Sequence, residues 1–555
     1  MKHGHEPGSF SDTNRMPKQQ NRLGALHPFL FALYPVLSLY ATNLREIPFS
    51  DAWRSILFVL LLALSMLLLG RVALRSWTRA ACFASITLLL LLSYGHLYSY
   101  LKVLKIGEMP IGRHRYLVPL MALFILGIFW WLRKQRVATQ LSQFLLVGSI
   151  ALMAFPALQI GAYVVQAGFR ETPTIQQQRS YLSDLQVDGK PDIYFIVLDA
   201  YSREDILAER FDFDNSVFLD ALRARGFYVA DRSSSNYLRT IFSITSTLNL
   251  NYLQNLDVNL MQSDYRDSLA QHLQNNRVRQ ELESIGYASV AFASSYPPTE
   301  IVNADSYIAP AMENVDAWIQ FGIINDFEGF LLYNSVARVL FDWNTTRGIS
   351  LSYFLDTGLE QAKQQRRDII LSALENLSQL DEISEPKWVF AHIISPHYPY
   401  LFGPNGEATS YPEPLTFQEK QVVLGEQSWI GYRDQLIHIN ARILDVIDEI
   451  LETSGTPPVI LLQADHGPAT GLDWTDPQEP YLTDRSAILN AYYLPESCRP
   501  SLYPSISPVN SFRVVFNCLF GTSLAMQPDE TFIDQEVSGG VQLVPIDSFL
   551  PEESP

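Results

Sequence analysis

PDIYFIVLDAYSRED, residues 191–205, is the stretch whose reading decides the fold class. Its middle, 193–198, is an unbroken run of β-branched, aromatic and aliphatic residues. Both faces of a strand with that composition are apolar, which marks it as buried on both sides, as in a parallel sheet covered by helices. The run stops at Asp199, and Ser202 followed by Glu204 and Asp205 reads as a helix start. YASVAFAS (287–294), KWVFAHIIS (387–395), PVILLQADHG (458–467) and AILNAYYLP (487–495) read as further strands. Helical patterns lie between and after them at 215–225, 240–249, 266–285, 359–380, 427–453 and 508–520. Strands that alternate with helices predict an α/β domain with a mainly parallel sheet, and a ligand site beyond the carboxyl ends of its strands.

Upstream the chain has another character. Residues 1–167 carry 16 Lys and Arg against 5 Asp and Glu, and the remainder carries 24 against 53. Five apolar stretches, 23–43, 55–74, 81–100, 116–132 and 141–166, predict a bundle of about five transmembrane helices, since a span needs about 20 mostly apolar residues. His27 and Pro35 weaken the first, and His96 weakens the third. The N-terminal tail and the second and fourth loops hold ten Lys and Arg against six in the alternate loops. That balance places the N-terminus in the cytoplasm and everything after the fifth span outside. Trp130 and Trp131 stand at a span end, as interfacial aromatics do. No span has an acidic residue at its middle, which argues against an ion or proton path. The expected organisation is a cytoplasmic tail (1–22), a membrane region (23–167), a polar linker (168–190), an extracytoplasmic catalytic domain (191–545) and a tail (546–555).

Three of the strands end in groups able to hold a metal. Asp199 closes the first, His392 lies in KWVFAHIIS with His397 just after it, and Asp465–His466 closes PVILLQADHG. Adjacent side chains on a strand point to opposite faces, but Gly467–Pro468 ends the strand at once and lets both turn toward one site. Two carboxylates and an imidazole suit a divalent cation, zinc or manganese first, with magnesium or calcium as further candidates. Thr240 begins a helical stretch, where free backbone N–H groups favour an anion, and a metal touching its oxygen would activate it as a nucleophile. The bland alternatives are that Asp199 and Thr240 only cap helices, that Ser243 or Ser235 is the nucleophile, and that His392 is a core histidine. Arg203, Asn236 and Arg485 are candidates to bind phosphate, and His272 and His438 read as surface residues. Cys498 and Cys518 either pair across an oxidising compartment or are separate buried thiols.

The segments DIYFIVLDAYSRED (192–205), SSNYLRTIFSITSTLN (234–249), HIISPHYPYLFGPNG (392–406) and LLQADHGP (461–468), in that order, together resemble the sulfatase-like branch of the alkaline phosphatase superfamily, near the lipoteichoic acid synthase and phosphoethanolamine transferase group. RSAILNAYYLPE (485–496) and SPVNSFRVVFNCLFG (507–521) resemble that group's C-terminal end. The resemblance implies an alkaline-phosphatase-like α/β/α domain. It also implies that Asp199, Thr240, Asp465 and His466 bind the metal, with Thr240 forming a covalent phosphothreonine. His397 and His392 would then contact the phosphoryl oxygens or protonate the leaving group. The expected partners are membrane lipids or a lipid-linked substrate, and cell-envelope glycan, at a bacterial-type inner membrane.

The sequence also departs from the family. No Cys lies between 82 and 498 and no C/S-x-P-x-R motif is present, which disfavours a formylglycine sulfatase. His466 is the last histidine, so the late histidine of a second zinc site is missing. Asp199 stands where the lipoteichoic acid group has Glu. The expected activity is metal-dependent phosphoryl transfer or phosphoric ester hydrolysis. A sulfatase-like hydrolase and a catalytically inactive membrane-anchored binding protein are the alternatives. The acidic second half argues against nucleic acid as a partner, because phosphate backbones are held by Lys and Arg surfaces.

Overall fold

The structure is a computed structural model. It describes residues 25–549 apart from 45–48, 103–104, 107–108, 111, 135–137, 170–179, 183–188, 262–264, 311–325, 341–352, 381, 410–425, 469–473, 475–476, 478–480 and 538–539. The expected N-terminal tail, most of the expected linker and the last six residues lie outside the described residues. The chain divides into two compact units, residues 1–173 with 324–355, and residues 174–323 with 356–555.

In the first unit, helices α1 (His27–Thr42), α2 (Phe49–Leu74), α3 (Trp77–Leu92), α4 (Tyr94–Leu101), α5 (His114–Lys134) and α6 (Ala138–Phe169) cover the five apolar stretches. Among the described residues, segments 51–74, 114–134 and 138–165 are long and apolar enough to cross a membrane, and α3 with α4 fits as one span bent by 48°. The expected first span is shorter than a bilayer core requires: α1 is a 16-residue helix that stops at Asn43. Among the described residues three helices, or four with the bent pair, are thus able to cross a membrane by length and composition, where about five were expected.

The second unit is built on a seven-stranded sheet. In chain order its strands are β1 (Ile193–Leu198), β2 (Tyr228–Val229), β3 (Ala288–Phe292), β4 (Ser306–Ile308), β5 (Lys387–Ile393), β6 (Val459–Gln463) and β7 (Asn490–Tyr493). They lie in the order β2-β7-β6-β1-β5-β3-β4. β1 pairs parallel with both β5 and β6, β3 pairs parallel with β5 and β4, and the β7 and β2 edge is antiparallel. Residue alternation in β1 is read out directly in the packing. Ile193, Phe195 and Val197 enter one core, and Tyr194, Ile196 and Leu198 enter the other. The first core is covered by α9 (Thr240–Leu248), α10 (Tyr265–Gln274), α11 (Arg277–Ser284) and α16 (Pro508–Phe520). The second is covered by α7 (Glu204–Phe211), α8 (Ser216–Ala224), α13 (Tyr353–Asn376) and α14 (Glu426–Thr453). Each fully buried Phe or Leu contributes about 1.5–3 kcal/mol, so two packed faces fix the register of the central strands.

The expected helix 266–285 is two helices, because Asn276 caps a new one by accepting a hydrogen bond from the Arg279 N–H at 2.9 Å. Helix α12 (Asp326–Tyr333) and the hairpin of β8 (Phe532–Val537) and β9 (Gly540–Pro545) were not expected; a short helix α15 (Tyr481–Ser486) precedes β7. Cys498 and Cys518 form a disulfide that ties α16 to the segment after β7. His438 is no surface residue: it is buried and stacked on Phe402 at 4.7 Å between ring centroids.

Candidate active site

β1, β5 and β6 run side by side in the same direction, so their carboxyl ends deliver Asp199, His392 and Asp465–His466 to one place. Asp199, Asp465 and His466 are each no more than 3% exposed, and one donor atom from each lies within 4.8 Å of the others. The turn after β6 is set by Gly467. Its N–H donates to the Arg485 carbonyl at 2.7 Å, and a Cβ there would meet the Asp484 carbonyl oxygen at 2.1 Å. Asp465 is anchored through Oδ1, which accepts from the N–H groups of Ala200 (3.2 Å) and His466 (3.0 Å). Asp465 Oδ2 and Asp199 Oδ1 are buried and accept no hydrogen bond. Two orphaned buried carboxylate oxygens are costly unless a cation takes them, so this donor set fits a divalent metal.

The imidazole of His466 completes the set. Its Nδ1–H donates to the Gly467 carbonyl at 3.0 Å, which leaves Nε2 as the lone-pair nitrogen. Nε2 lies 3.2 Å from Asp465 Oδ2 and 3.9 Å from Asp199 Oδ1. The Thr240 hydroxyl donates to that nitrogen at 2.9 Å, and Arg485 Nη2 approaches it at the same distance. Thr240 is the first residue of α9, and the position before it, Arg239, provides no side-chain cap. The Thr240 hydroxyl is therefore directed to the cluster and not to its own helix. Ser243, in contrast, is committed to the Tyr237 backbone, donating to its carbonyl at 2.9 Å and accepting from its N–H at 3.2 Å.

The histidines after β5 divide their work. His392 Nε2 lies 3.3 Å from Asp199 Oδ2, while its Nδ1 meets the Thr299 hydroxyl at 2.8 Å. It stands beside Asp199. His397 donates its backbone N–H to the Asp199 carbonyl at 3.0 Å, and its ring lies 6.3 Å from that of His466. Its Nδ1–H donates to the Tyr398 carbonyl, which places the ring proton of the neutral imidazole on Nδ1.

Of the three candidate phosphate binders, the fold brings one to the cluster. Arg485 is buried, with Nε donating to the Leu238 carbonyl at 3.0 Å and Nη1 to the Gly467 carbonyl at 2.6 Å. It staples the loop before Thr240 to the turn after β6, and its Nη2 is the edge that faces the site. Asn236 is spent on Ser246, Thr247 and the Val509 N–H, and Arg203 on Asp205 and the Ser233 carbonyl.

Charge balance follows from burial. Burial works to raise the Asp199 carboxyl, but His397, His392 and His466 outweigh it and hold it well below the usual carboxylate range. Asp465 is pushed up to about 7 by burial and then by the Asp199 charge. Burial, with Arg485 beside it, lowers His466 well below the ordinary imidazole value, so its ring is neutral and its Nε2 lone pair could be given to a metal.

No family model and no curated protein matches the chain. Among solved structures it is similar to the C-terminal periplasmic domain of EptC from Escherichia coli, in complex with zinc, at 11% identity and a TM-score of 0.39 over 67% of this chain and 97% of that one. It is also similar to the integral membrane lipooligosaccharide phosphoethanolamine transferase EptA from Neisseria meningitidis, at 11% identity and a TM-score of 0.38 over 90% of this chain and 95% of that one. A third similar structure is BT1596, a 2-O GAG sulfatase, at 10% identity and a TM-score of 0.38 over 65% of this chain and 86% of that one.

Proposed function

We propose that the chain is a membrane-anchored, metal-dependent phosphotransferase or phosphoric ester hydrolase that works through Thr240 on a phosphoryl-linked lipid or glycan at the outer face of the membrane. The observation that carries this reading is the Thr240 hydroxyl on His466 Nε2, inside a cluster whose two buried carboxylate oxygens lack hydrogen-bond donors. Asp199, Asp465, His466 and the Thr240 oxygen are the groups that would hold a divalent cation. Such a cation supplies Lewis acidity to a phosphoryl oxygen and lowers the pKa of the Thr240 hydroxyl. The Thr240 oxygen attacks phosphorus as its proton passes to His397 Nε2, the bond from phosphorus to the leaving oxygen breaks, and His397 hands that proton to the leaving oxygen. An acceptor hydroxyl or water then attacks the resulting phosphothreonine and gives its proton to His397, which returns it to the Thr240 oxygen as that oxygen departs. His392 positions Asp199. Arg485 Nη2 and Thr240 Oγ1 each lie 2.9 Å from the same nitrogen, so the guanidinium is within reach of non-bridging oxygens on a phosphoryl group at Thr240.

A disulfide at Cys498–Cys518 supports an extracytoplasmic second half. The test is mass spectrometry of the purified full-length protein after incubation with membrane lipids and divalent metal. The expected result is a phosphoryl-linked mass increment on Thr240 that names the transferred group. An increment on Ser243 or Ser235, or none with any metal, would overturn the proposal.

A further inference from the structure

The pair α3 and α4 is bent by 48° between Leu92 and Tyr94. In a straight helix the Gly95 N–H would donate to the Leu91 carbonyl, four residues back. Here that bond is open, and both halves of it are taken by a segment some 240 residues downstream. The Gly95 N–H donates to the Asn334 carbonyl at 2.9 Å, and the Leu91 carbonyl accepts from the Val336 N–H at 2.7 Å. An unpaired backbone group in a bilayer costs several kcal/mol, so a break of this kind persists only where another part of the protein satisfies it. Gly95 is required at this contact: a Cβ there would lie 2.3 Å from the Tyr333 carbonyl oxygen and 2.5 Å from the Asn334 Cα.

The rest of the segment packs onto the same unit. Phe327 and Leu331, one turn apart on α12, are buried among Ala32 and Val36 of α1, Ala52 and Val59 of α2 and Leu88 and Leu92 of α3. Glu328 pairs with Arg54 at 2.8 Å. Arg338 is 2% exposed, donates to the Ser99 hydroxyl at 2.8 Å, and sits over the rings of Tyr333 (3.9 Å) and Tyr98 (4.7 Å). Phe330 and Leu340 point outward, 37% and 44% exposed. They extend the apolar exterior that α2 presents through Leu57, Phe58, Leu61 and Leu68.

We infer that residues 326–340 are a second membrane-attached segment. The chain returns from its soluble half to the bilayer, inserts its backbone at 334–336 into the break of a spanning helix, and places Phe330 and Leu340 against lipid at the outer interface. The occupant of this face is the lipid itself, because it continues the lipid-facing surface of α2 and its polar groups are turned inward onto Arg54, Ser99 and the tyrosines. The break is thus a fixed docking point and not a free hinge.

The test uses the full-length protein in lipid nanodiscs. A fluorophore is attached at Phe330→Cys or Leu340→Cys, with Val217→Cys, 80% exposed on the other unit, as the aqueous reference; the free thiol Cys82 is buried. At 330 and 340 quenching by lipids brominated near the headgroup is expected, with iodide quenching at least about threefold below that at 217. Iodide quenching equal to the reference without lipid quenching would overturn the inference. In the unmodified protein, hydrogen exchange at the Gly95 and Val336 amides is expected to be at least about tenfold slower than at exposed loops. Exchange at the loop rate would overturn the backbone insertion.

Discussion

Replacing Asp465 with Asn is expected to stabilise the metal-free protein while removing its response to metal. In the cluster two buried carboxylates face one another, and Asp465 is pushed up to about 7. Burial and the Asp199 charge both oppose ionising that group, and relieving one unsatisfied buried charge contributes roughly 1–3 kcal/mol. An amide keeps the contacts that matter for the fold: its oxygen can still accept from the N–H groups of Ala200 and His466, as Oδ1 does now. Its NH2 would stand where Oδ2 lacks a donor and would serve Asp199. The second unit comprises roughly 350 residues, for which 1–3 kcal/mol corresponds to a rise of about 1–4 °C in its thermal transition. The assay is calorimetry of the full-length protein in detergent at pH 8, with chelator and then with zinc. Wild-type protein is expected to gain stability on adding zinc, and the variant to start higher and gain little. A variant that melts lower than wild type in chelator and rises with zinc as wild type does would refute the reasoning.

Four further outcomes are expected. Zinc affinity, measured by competition with a chromophoric chelator, should fall about tenfold per pH unit below about 7, because the cation must displace the Asp465 proton, and should level off above that value; a flat profile from pH 5 to 8 would contradict this. Arg485→Gln should lower turnover of a phosphodiester reporter by about 100-fold or more, with Arg485→Lys only partly restoring it, since two of the three guanidinium nitrogens are held by carbonyls; full activity in the glutamine variant would exclude a role in the site. Gly467→Ala should abolish metal binding, because the new methyl group collides with the Asp484 carbonyl and displaces His466; a normal zinc stoichiometry would show that the turn can yield. Breaking the disulfide with Cys498→Ser should cost about 3 kcal/mol, seen as a lower calorimetric midpoint that added zinc does not restore.

The legible parts of the sequence were those where one local pattern has a single physical meaning. β1, β5 and β6 are apolar on both faces, so their runs could only be buried strands, and the polar residues that end them had to lie at one edge of the sheet. That Asp199, Asp465 and His466 lie together could be read this way. Short edge strands were not legible, because β2 and β4 hold two and three residues and carry no period. Neither was the return of 326–340 to the membrane unit. The signal for it lies in two backbone groups at Leu91 and Gly95. Arg485 looked equivalent to Arg203, since only the fold decides which guanidinium is buried between two loops. His392 was expected at the phosphoryl group, and the distance of its Nε2 from Asp199 Oδ2, 3.3 Å, could not be read from its strand alone.

The most direct measurement is an anomalous-difference map at the zinc absorption edge from crystals of the zinc-loaded protein. The expected result is one strong peak about 2.0–2.3 Å from Asp199 Oδ1, Asp465 Oδ2 and His466 Nε2, with the Thr240 oxygen in the fourth position. A zinc-loaded protein with its peak elsewhere, and these four side chains unligated, would contradict the account.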